Sequence, residues 1–440
     1  MGPDAAGSAE PRARFVVLAQ WLALGAGVGV IAGAASALFL WLLDAVTHFR
    51  GTHEWIVFLL PVAGLAIGSV YERFGQAIKG GNNLVIDTIH DQGPELPLRM
   101  APMVLVGTVL THLFGGSAGR EGTAVQMGAS LGDWVSHRLR LPAALRIEVL
   151  AAGVAGGFGS VFGTPIAGAL FGLEFVVLGR IEYRALVPAL AAALTGDLTT
   201  RALGIEHTPY PAAPALALSL AVLARWVVFA AVVALVGVLY IELLNRLRRL
   251  GERYLPRLGW RMAAGGVLVV AAWQAIGTSD YLGLGLPTIV RAFVDPALPE
   301  AVFAAKLGFT VLTLGAGFLG GEVTPLFFIG ATLGNVLARW LGLPLELGAG
   351  VGLAALFAVC SHTPLALSLM AVELLGANAL PHVLIVSALA NVLIGHRGIY
   401  PAQHNPSSNG GLDTHVSEQV TAKLEAAHST STTGSSTKLA

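Results

Sequence analysis

Apolar residues dominate long stretches of the chain, and the polar positions are concentrated in short segments between them. Several of these stretches reach the length of about 20 residues that an α-helix needs to cross the hydrocarbon core of a bilayer. Others are shorter and are interrupted by Gly, Pro or a charge, a pattern typical of re-entrant or discontinuous membrane helices that line a cavity. The apolar runs cover residues 16–44, 55–71, 101–115, 147–178, 185–199, 215–244, 262–277, 301–319, 325–341, 350–374 and 382–395. The pattern predicts an all-α integral membrane protein with many membrane-embedded helices.

Composition agrees with this prediction and excludes the soluble classes. Of the 440 residues, 55% are hydrophobic and only 12% are charged, whereas a soluble domain carries about 25% charged residues. The only cysteine, Cys360, rules out an intramolecular disulfide framework. The formal net charge is zero, so the overall balance favours no charged partner, and we expect no binding to nucleic acid.

The distribution of arginines predicts the orientation in the membrane. A mid-chain loop is rich in arginine, and such loops lie on the cytoplasmic side of a membrane. Two further arginines precede the first apolar run, so segment 1–14 is predicted to be a cytoplasmic N-terminus. That run is too long for the core of a signal peptide, which indicates a retained helix. The arginines are Arg246, Arg248, Arg249, Arg253, Arg257 and Arg261 in the loop, and Arg12 and Arg14 near the start.

Two parts of the chain resemble each other at an offset close to 200 residues. In both copies a Pro follows a Gly by 12 positions, and a Glu follows that Pro by nine. A duplicated bundle follows from this similarity, with halves predicted at 15–205 and 215–398. The matched positions are Gly153, Thr164, Pro165 and Glu174 with Gly352, Thr363, Pro364 and Glu373, and Gly119, Thr123 and Gly128 with Gly321, Pro325 and Gly330.

The loops that follow the matched segments differ in charge, which favours an inverted arrangement of the halves. The first loop carries Arg138, Arg140 and Arg146, whereas its counterpart carries Arg339 and Glu346. Because arginine is favoured only on the cytoplasmic side, the two loops are predicted to face opposite sides. The tail 402–440 is rich in Ser, Thr, Gly and Asn and is predicted to be disordered.

Charged residues inside the apolar runs are the first candidates for function, because a charge in the membrane interior is costly. Glu174 and Glu373 occupy equivalent positions of the two copies, and we interpret them as structural carboxylates that accept hydrogen bonds from a neighbouring broken helix. Lys306 is expected to snorkel or to cap a helix. The remaining charges of this kind are Arg120, Glu121 and Glu322.

The segment Gly119–Thr123 ends a glycine-rich stretch and begins an amphiphilic run, so it predicts a helix that starts in the middle of the membrane. Such a start leaves several backbone N–H groups unpaired, and these groups together with the helix dipole form an anion site. A carboxylate at Glu121 can occupy that site, or it can take up a proton and leave. One residue would then serve as both gate and proton carrier.

Two further segments have the same design, with glycines just before a polar group and a new helix. They are 80–84, which contains Asn82, and 320–325, in which Pro325 suits the first turn of a helix. Three helix starts that converge from separate parts of the chain would surround a small anion with N–H donors. The alternative is that they are three ordinary helix breaks.

The order of these motifs resembles the CLC family of chloride channels and transporters, and the resemblance covers 15–402. The family pattern reads GSGIP, GREGP and GxFxP, with a central serine and a tyrosine that coordinate the anion. Residue by residue, the resemblance implies that Glu121 is the gating glutamate, Asn82 stands at the serine and Tyr400 at the tyrosine. The third motif is matched by Glu322, Val323 and Thr324. The resemblance also implies a bundle of two inverted-topology repeats in the lipid bilayer, a homodimer and one pathway per subunit.

The departures from the family pattern resemble the CLC-F branch, a set of bacterial fluoride/proton antiporters, which implies the bacterial inner membrane. Asn82 replaces the serine, Thr123 replaces a proline, Glu322 and Thr324 enter the third motif, and Phe175 stands where an internal proton-relay glutamate is common. Fluoride is a small, strongly hydrated hydrogen-bond acceptor, so replacing its water needs more donors than chloride does. The Asn82 amide and the Thr324 hydroxyl add donors, and a protonated Glu322 adds another.

The resulting hypothesis is that fluoride leaves the cytoplasm while a proton enters, with Glu121 alternately protonated and occupying the pathway. Arg120 would shape the local potential, Gly122 would allow close approach of the backbone, and Glu322 would form a coupled pair of carboxylates with Glu121. A chloride/proton antiporter or a gated chloride channel on the same fold is the alternative. An enzyme is disfavoured because His-Glu-x-x-His and P-loop motifs are absent from the sequence. We expect no metal and no cofactor.

Overall fold

The computed structural model describes residues 4–91, 95–176 and 183–403. Residues 404–440, which make up nearly all of the predicted polar tail, lie outside the described residues. The described residues form the α-helices α1 (Asp4–Thr52), α2 (Leu60–Phe74), α3 (Asn82–Asp91), α4 (Met100–Leu113), α5 (Glu121–Arg138), α6 (Ala143–Phe162), α7 (Pro165–Glu174), α8 (Leu186–Ala202), α9 (Leu220–Tyr254), α10 (Leu258–Ile276), α11 (Leu286–Val294), α12 (Val302–Gly315), α13 (Val323–Leu341), α14 (Leu345–Ser361), α15 (Pro364–Leu375) and α16 (Leu380–Ile394). Short 3₁₀ helices cover Glu54–Leu59, Gln76–Ile78, Tyr183–Ala185 and Ala377–Ala379.

The predicted all-α membrane fold is confirmed. Within the described ranges, five helical spans are long and apolar enough to cross a membrane, and several apolar helices of 10–17 residues accompany them. Since a β-strand would need a paired edge to survive in lipid, a helical bundle is the expected solution for this composition. The five spans are Phe15–Thr52, Glu54–Phe74, Leu145–Phe162, Leu220–Tyr254 and Ala377–Ile394.

Two apolar runs are each broken into two helices at the same relative point. Run 147–178 divides at Gly163 between α6 and α7, and run 350–374 divides at His362 between α14 and α15. Both break residues adopt positive φ angles, 73° at Gly163 and 55° at His362. This conformation is uncommon for a residue with a side chain, and at His362 the ring is held by Asn391 Oδ1 at 2.8 Å and by the carbonyl oxygen of Arg397 at 3.0 Å.

Glu174 on α7 accepts hydrogen bonds from the start of α15, and Glu373 on α15 accepts hydrogen bonds from the start of α7. These bonds confirm the structural interpretation of the pair. The Glu174 carboxylate at the end of α7 accepts from the N–H groups of Leu365 (3.2 Å) and Ala366 (2.8 Å) in the first turn of α15. The Glu373 carboxylate near the end of α15 accepts in the same way from the first turn of α7, at 3.0 and 2.8 Å. Each helix therefore ends where the other begins, so α7 and α15 are antiparallel.

The two halves repeat the same close helix contacts. A Cβ atom on Gly128 of α5 would lie 2.1 Å from the carbonyl oxygen of Gly153 on α6. A Cβ on Gly330 of α13 would lie 2.2 Å from the carbonyl oxygen of Gly352 on α14. Membrane helices approach this closely only through small residues. With the antiparallel pair α7 and α15, these contacts describe two inverted repeats. The predicted boundaries 15–205 and 215–398 enclose most of α1 to α8 and all of α9 to α16, and they stay a prediction.

Lys306 does not snorkel. Its side chain is fully buried, and Nζ donates hydrogen bonds to the carbonyl oxygens of Tyr281 (3.1 Å) and Gly283 (2.7 Å). Nζ also lies 5.1 Å from the centre of the Phe328 ring, a distance at which the ring face attracts a cation. The expectation that Lys306 snorkels was wrong because α12 lies in the protein interior, where carbonyl groups of a loop hold the lysine.

Replacing Glu174 with alanine should destabilise the protein, because the N–H groups of Leu365 and Ala366 would lose their acceptor. The expected loss is about 1–3 kcal/mol, measured as a lower midpoint of thermal unfolding of the detergent-solubilised protein. Glu174→Gln keeps an acceptor oxygen, so its unfolding midpoint should lie between those of the unmodified protein and Glu174→Ala. The exposed Glu206 is the control, and equal midpoints for Glu174→Ala and Glu206→Ala would contradict the capping role.

Replacing Gly330 with alanine should lower the same midpoint, because the new methyl group would collide with the backbone of α14. Gly308→Ala on α12 provides a matched control, since a Cβ there would meet no atom within 4 Å. Both substitutions bring the same gain in helix propensity of about 1 kcal/mol. The difference between the two unfolding midpoints therefore isolates the effect of the packing contact. A Gly330→Ala protein as stable as Gly308→Ala would show that the two helices can separate without cost.

Candidate functional site

A pair of glycine residues joins the two halves at the centre of the protein. Gly119 and Gly321 form an antiparallel bridge, in which each N–H donates to the carbonyl oxygen of the other at 2.7 and 2.8 Å. A Cβ on Gly119 would lie 2.9 Å from the Gly321 oxygen, and a Cβ on Gly321 would lie 2.7 Å from the nitrogen of Gly122. Only glycine permits this approach, which brings the starts of α5 and α13 together.

Glu121, the first residue of α5, is fully buried and directs its carboxylate at the start of α13. The backbone N–H of Thr324 donates to Oε2 at 3.1 Å, and the Thr324 hydroxyl lies 2.6 Å from both carboxylate oxygens. The backbone N–H of Arg120 donates at 3.2 Å and its Nε at 3.3 Å. The Glu121 carboxyl group therefore occupies the N-terminal end of a buried helix, where unpaired N–H groups and the helix dipole favour an anion.

The start of α5 lies beside Asn82. Its N-cap residue, Arg120, makes no side-chain cap, as is also true of Glu322 at the start of α13. The buried amide of Asn82, at the start of α3, approaches the next turn, and its Nδ2 lies 3.1 Å from the position that a Cβ on Gly122 would take. Tyr400 is buried and lines the same cavity as Asn82. The three predicted helix starts and the tyrosine thus converge on one place.

The other predicted residues lie around this point. Glu322 is the N-cap residue of α13, and its Oε1 lies 3.4 Å from Nη2 of Arg248 on α9. Thr123 is buried and shares a hydrogen bond of 2.8 Å with the Thr108 hydroxyl. Val323 is buried at the first position of α13. Glu121 and Glu322 have different partners, and the coupling of their protonation stays a prediction, as do the anion contacts of the individual residues.

Two separate cavities flank Glu121, and Glu121 lines neither of them. The first, of about 340 Å³, is lined by Asn82, Thr123, Glu322 and Tyr400 and by basic residues that include Arg248. The second, of about 420 Å³, is lined by Arg120 and by residues of α1 and of the loop before α11. In the chain Glu121 stands between Arg120, which lines the second cavity, and Gly122 and Thr123, of which Thr123 lines the first.

Sequence reasoning missed two residues at this site. Arg248 was one arginine among six in a loop predicted to be cytoplasmic, but it lies on α9 and pairs with Glu322. Thr108 lies in an ordinary apolar helix, α4, and holds Thr123. A charge within reach of an apolar helix could have marked Arg248, whereas no local signal distinguishes Thr108, because its role depends on which helix packs against α5.

The chain is similar to known proteins over most of its length. The family model described as voltage gated chloride channel matches residues 63–395. A chloride/fluoride channel protein of Pseudomonas syringae pv. tomato is 47% identical over 396 residues, which cover 88% of this chain and 86% of the relative.

Solved structures share the fold. A CLC-type fluoride/proton antiporter aligns with a TM-score of 0.85 and 36% identity, over 88% of this chain and 98% of the other. A slow cyanobacterial Cl⁻/H⁺ antiporter aligns with a TM-score of 0.77 and 20% identity, over 86% of this chain and 96% of the other. The second likeness supports the fold alone. The helix arrangement, the glycine bridge and these similarities together establish that the chain belongs to the voltage-gated chloride channel (CLC) family.

Proposed function

We propose that the protein exports fluoride in exchange for protons and so confers resistance to fluoride. The observation that carries the proposal is the Glu121 carboxylate bound by the N–H and hydroxyl of Thr324. A titratable anion stands where a transported anion would bind, so anion and carboxylate exclude each other. Membership of the CLC family supports a role in ion transport.

The relatives support fluoride as the anion. The P. syringae relative, at 47% identity, is named a chloride/fluoride channel protein. The structural neighbour at 36% identity is titled a CLC-type fluoride/proton antiporter. Both are similar to this chain over more than four fifths of its length, so the properties that their names describe are a reasonable expectation here.

The donors around the pathway also favour fluoride over chloride. Asn82 brings an amide with two N–H donors, and Thr324 brings a hydroxyl and a backbone N–H. Fluoride holds its water more strongly than chloride does, so a site must offer strong donors at short range to replace that water. The Glu121 oxygens lie 2.6 Å from the Thr324 hydroxyl, which is the short distance expected of a hydroxyl that bonds an anion.

The exchange cycle follows from the position of Glu121. A proton that reaches the carboxylate removes its charge and weakens its hold on the α13 start, because the helix dipole and the N–H groups favour only the anion. The neutral side chain leaves, and fluoride takes the vacated donors. When Glu121 releases the proton, the carboxylate returns and displaces the fluoride. In this cycle Glu322, beside the first cavity, carries the proton towards Glu121.

The remaining partners and the location belong to the same proposal. We place the protein in the bacterial inner membrane on the basis of the family resemblance, with the N-terminus in the cytoplasm on the basis of Arg12 and Arg14 before the first apolar run. A homodimer with one pathway per subunit rests on the family resemblance. A chloride/proton antiporter is the alternative function, and the ratio of fluoride to chloride flux from reconstituted vesicles decides between them, since equal rates favour chloride.

Replacing Glu121 with glutamine should abolish proton coupling, because the amide fills a similar volume but neither carries a charge nor takes up a proton at ordinary pH. In vesicles that contain the purified variant, a fluoride gradient should drive no proton uptake above that of protein-free vesicles. The exposed Glu206 gives a matched control, Glu206→Gln, which should exchange like the unmodified protein. Fluoride efflux that stays proton-coupled in Glu121→Gln would overturn the mechanism.

Replacing Asn82 with serine, the residue of the general family pattern, should lower the preference for fluoride. The loss of one donor from the pathway corresponds to about 1 kcal/mol, or about a fivefold to tenfold lower ratio of fluoride to chloride flux. Asn378→Ser is the control, since Asn378 bonds the carbonyl oxygen of Ala213 and does not line either cavity. An unchanged flux ratio in Asn82→Ser would remove Asn82 from the selectivity mechanism.

A further inference from the structure

The second cavity, of about 420 Å³, is lined by a buried arginine that has no acidic partner. Arg50, in the last turn of α1, shares this cavity with Arg120. Its Nη1 donates a hydrogen bond to the carbonyl oxygen of His112, and it forms no ion pair among the described residues. A guanidinium group keeps its charge in proteins, and a buried charge without a counterion is costly. The missing negative charge has room in the cavity.

The guanidinium group of Arg50 is held between two loops. His112, whose carbonyl oxygen it bonds, shares a hydrogen bond of 3.0 Å between its Nε2 and the carbonyl oxygen of Ala118, just before the gate segment. On the other side, Nη2 of Arg50 lies 2.8 Å from the position that a Cβ on Gly283 would take. The carbonyl oxygen of Gly283 in turn accepts a hydrogen bond of 2.7 Å from the buried Lys306. Arg50 is therefore fixed at the wall of the cavity.

Arg120 brings a second positive charge to the same cavity. It bonds the Glu121 carboxylate through its backbone N–H at 3.2 Å and through Nε at 3.3 Å. Its two terminal nitrogens have no acceptor in the described part of the chain. Because a guanidinium group has five N–H donors, four of them are left for a ligand. When Glu121 leaves in the proposed cycle, Arg120 also loses the carboxylate with which it pairs.

The cavity has neutral hydrogen-bond donors as well. Residues 285–288 line it, and they include the start of α11, which follows Gly285 with its φ of 73°. The first N–H groups of a helix have no acceptor within it, and together with the helix dipole they favour an anion. Thr47 lines the cavity from the turn before Arg50, and its buried hydroxyl has no partner among the described residues. Charged and neutral donors thus surround one space.

Two carboxylates line the cavity too, and their exposure distinguishes them from the arginines. Asp44 on α1 and Asp280 in the loop before α11 are exposed, whereas Arg50 is buried. Water screens an exposed charge far more than a buried one. Although the four lining charges cancel formally, the interior of the cavity is therefore positive, and the carboxylates lie towards its opening.

The size of the cavity determines which anions it can distinguish. A water molecule occupies about 30 Å³, so this cavity has room for a halide ion together with several waters. An anion there keeps much of its hydration shell and is attracted by charge rather than by a close shell of donors. Fluoride and chloride should therefore bind alike, and the discrimination between them stays with the donors around Glu121.

We propose that the second cavity contains a binding site for a hydrated monovalent anion, which Arg50 and Arg120 hold beside the start of α11. This site is separate from the start of α13, so the anion and the Glu121 carboxylate can be bound at the same time. In the proposed export cycle, fluoride that the returning carboxylate displaces passes to the two arginines and leaves from there. The identity of the transported anion rests on the proposed function.

The test is a calorimetric titration of the detergent-solubilised protein with sodium fluoride and, in parallel, with sodium chloride. In alkaline buffer Glu121 stays a carboxylate and blocks the start of α13, so an anion can bind only elsewhere. Arg50→Gln keeps a donor for the His112 carbonyl oxygen but removes the charge. A charge-assisted hydrogen bond is about twice as strong as a neutral one, so the dissociation constant of either anion should rise about tenfold. Arg50→Lys restores the charge and should stay within about threefold of the unmodified protein.

Arg291→Gln is the matched control. Arg291 lies on α11, is exposed, pairs with Asp295 at 2.9 Å and lines neither cavity. The same substitution there should leave the dissociation constants of both anions unchanged.

Removing a carboxylate from the cavity should have the opposite effect. Asp44→Asn keeps the shape of the side chain and deletes a negative charge, so both anions should bind more tightly. The dissociation constants should fall about twofold to threefold, less than the change in Arg50→Gln, because Asp44 is exposed and screened.

Unchanged dissociation constants in both Arg50→Gln and Asp44→Asn would overturn the proposal. The proposal is also wrong if Arg50→Lys binds anions as weakly as Arg50→Gln and both proteins unfold at an equally lowered temperature. That result would mean that the guanidinium group only holds the His112 carbonyl oxygen.

Transport by the same proteins separates this inference from the proposed function. If the dissociation constants shift as expected but vesicles exchange no fluoride for protons, the anion site stands and the proposed function is wrong. If vesicles exchange fluoride for protons but neither charge variant changes the binding of an anion, the anion site is wrong and the proposed function stands.

Discussion

Unpaired N–H groups at the starts of buried helices are the constraint on which most of this structure depends. A helix that begins inside a membrane protein cannot bond its first N–H groups to water, so another part of the chain must supply acceptors. At three helix starts a carboxylate from the opposite half of the chain does so. Glu174 serves α15, Glu373 serves α7 and Glu121 serves α13. The halves are therefore held together by the same physical interaction that forms the candidate site.

The helix caps formed by Glu174 and Glu373 differ in symmetry from the cap formed by Glu121 at the candidate site. Glu174 and Glu373 are equivalent by the duplication, and each caps the helix of the other. Glu121 has no such counterpart, because Val323 stands at the equivalent position at the start of α13. One helix start thus receives a carboxylate, while the start of α5 has Asn82 close by. A duplicated scaffold becomes an asymmetric pathway through a difference at one pair of positions.

Glycine at two places allows the centre to form. The bridge between Gly119 and Gly321 brings two chain segments so close that a single methyl group would collide with backbone atoms. The contacts between Gly128 and Gly153, and between Gly330 and Gly352, keep α5 and α13 tight against their neighbours. The gating role proposed for Glu121 requires such a rigid frame, because a shift of the donors by a fraction of an ångström would weaken short hydrogen bonds to an anion.

The sequence by itself determined the membrane-embedded helical class and the duplication, and it marked Glu121 and Asn82 as candidate site residues. These follow from local composition and spacing, because hydrophobic runs and glycine- or proline-rich breaks act within a few residues. The structural role of Glu174 and Glu373 also followed, since equivalent charges in a buried repeat need equivalent partners. Only the tertiary structure decided that Lys306 is buried and that Arg248 pairs with Glu322. Lys306 bonds carbonyl groups 23 and 25 residues away, and Arg248 pairs with a residue 74 positions away, so these features depend on which segments become neighbours in the fold, and no local pattern records that choice.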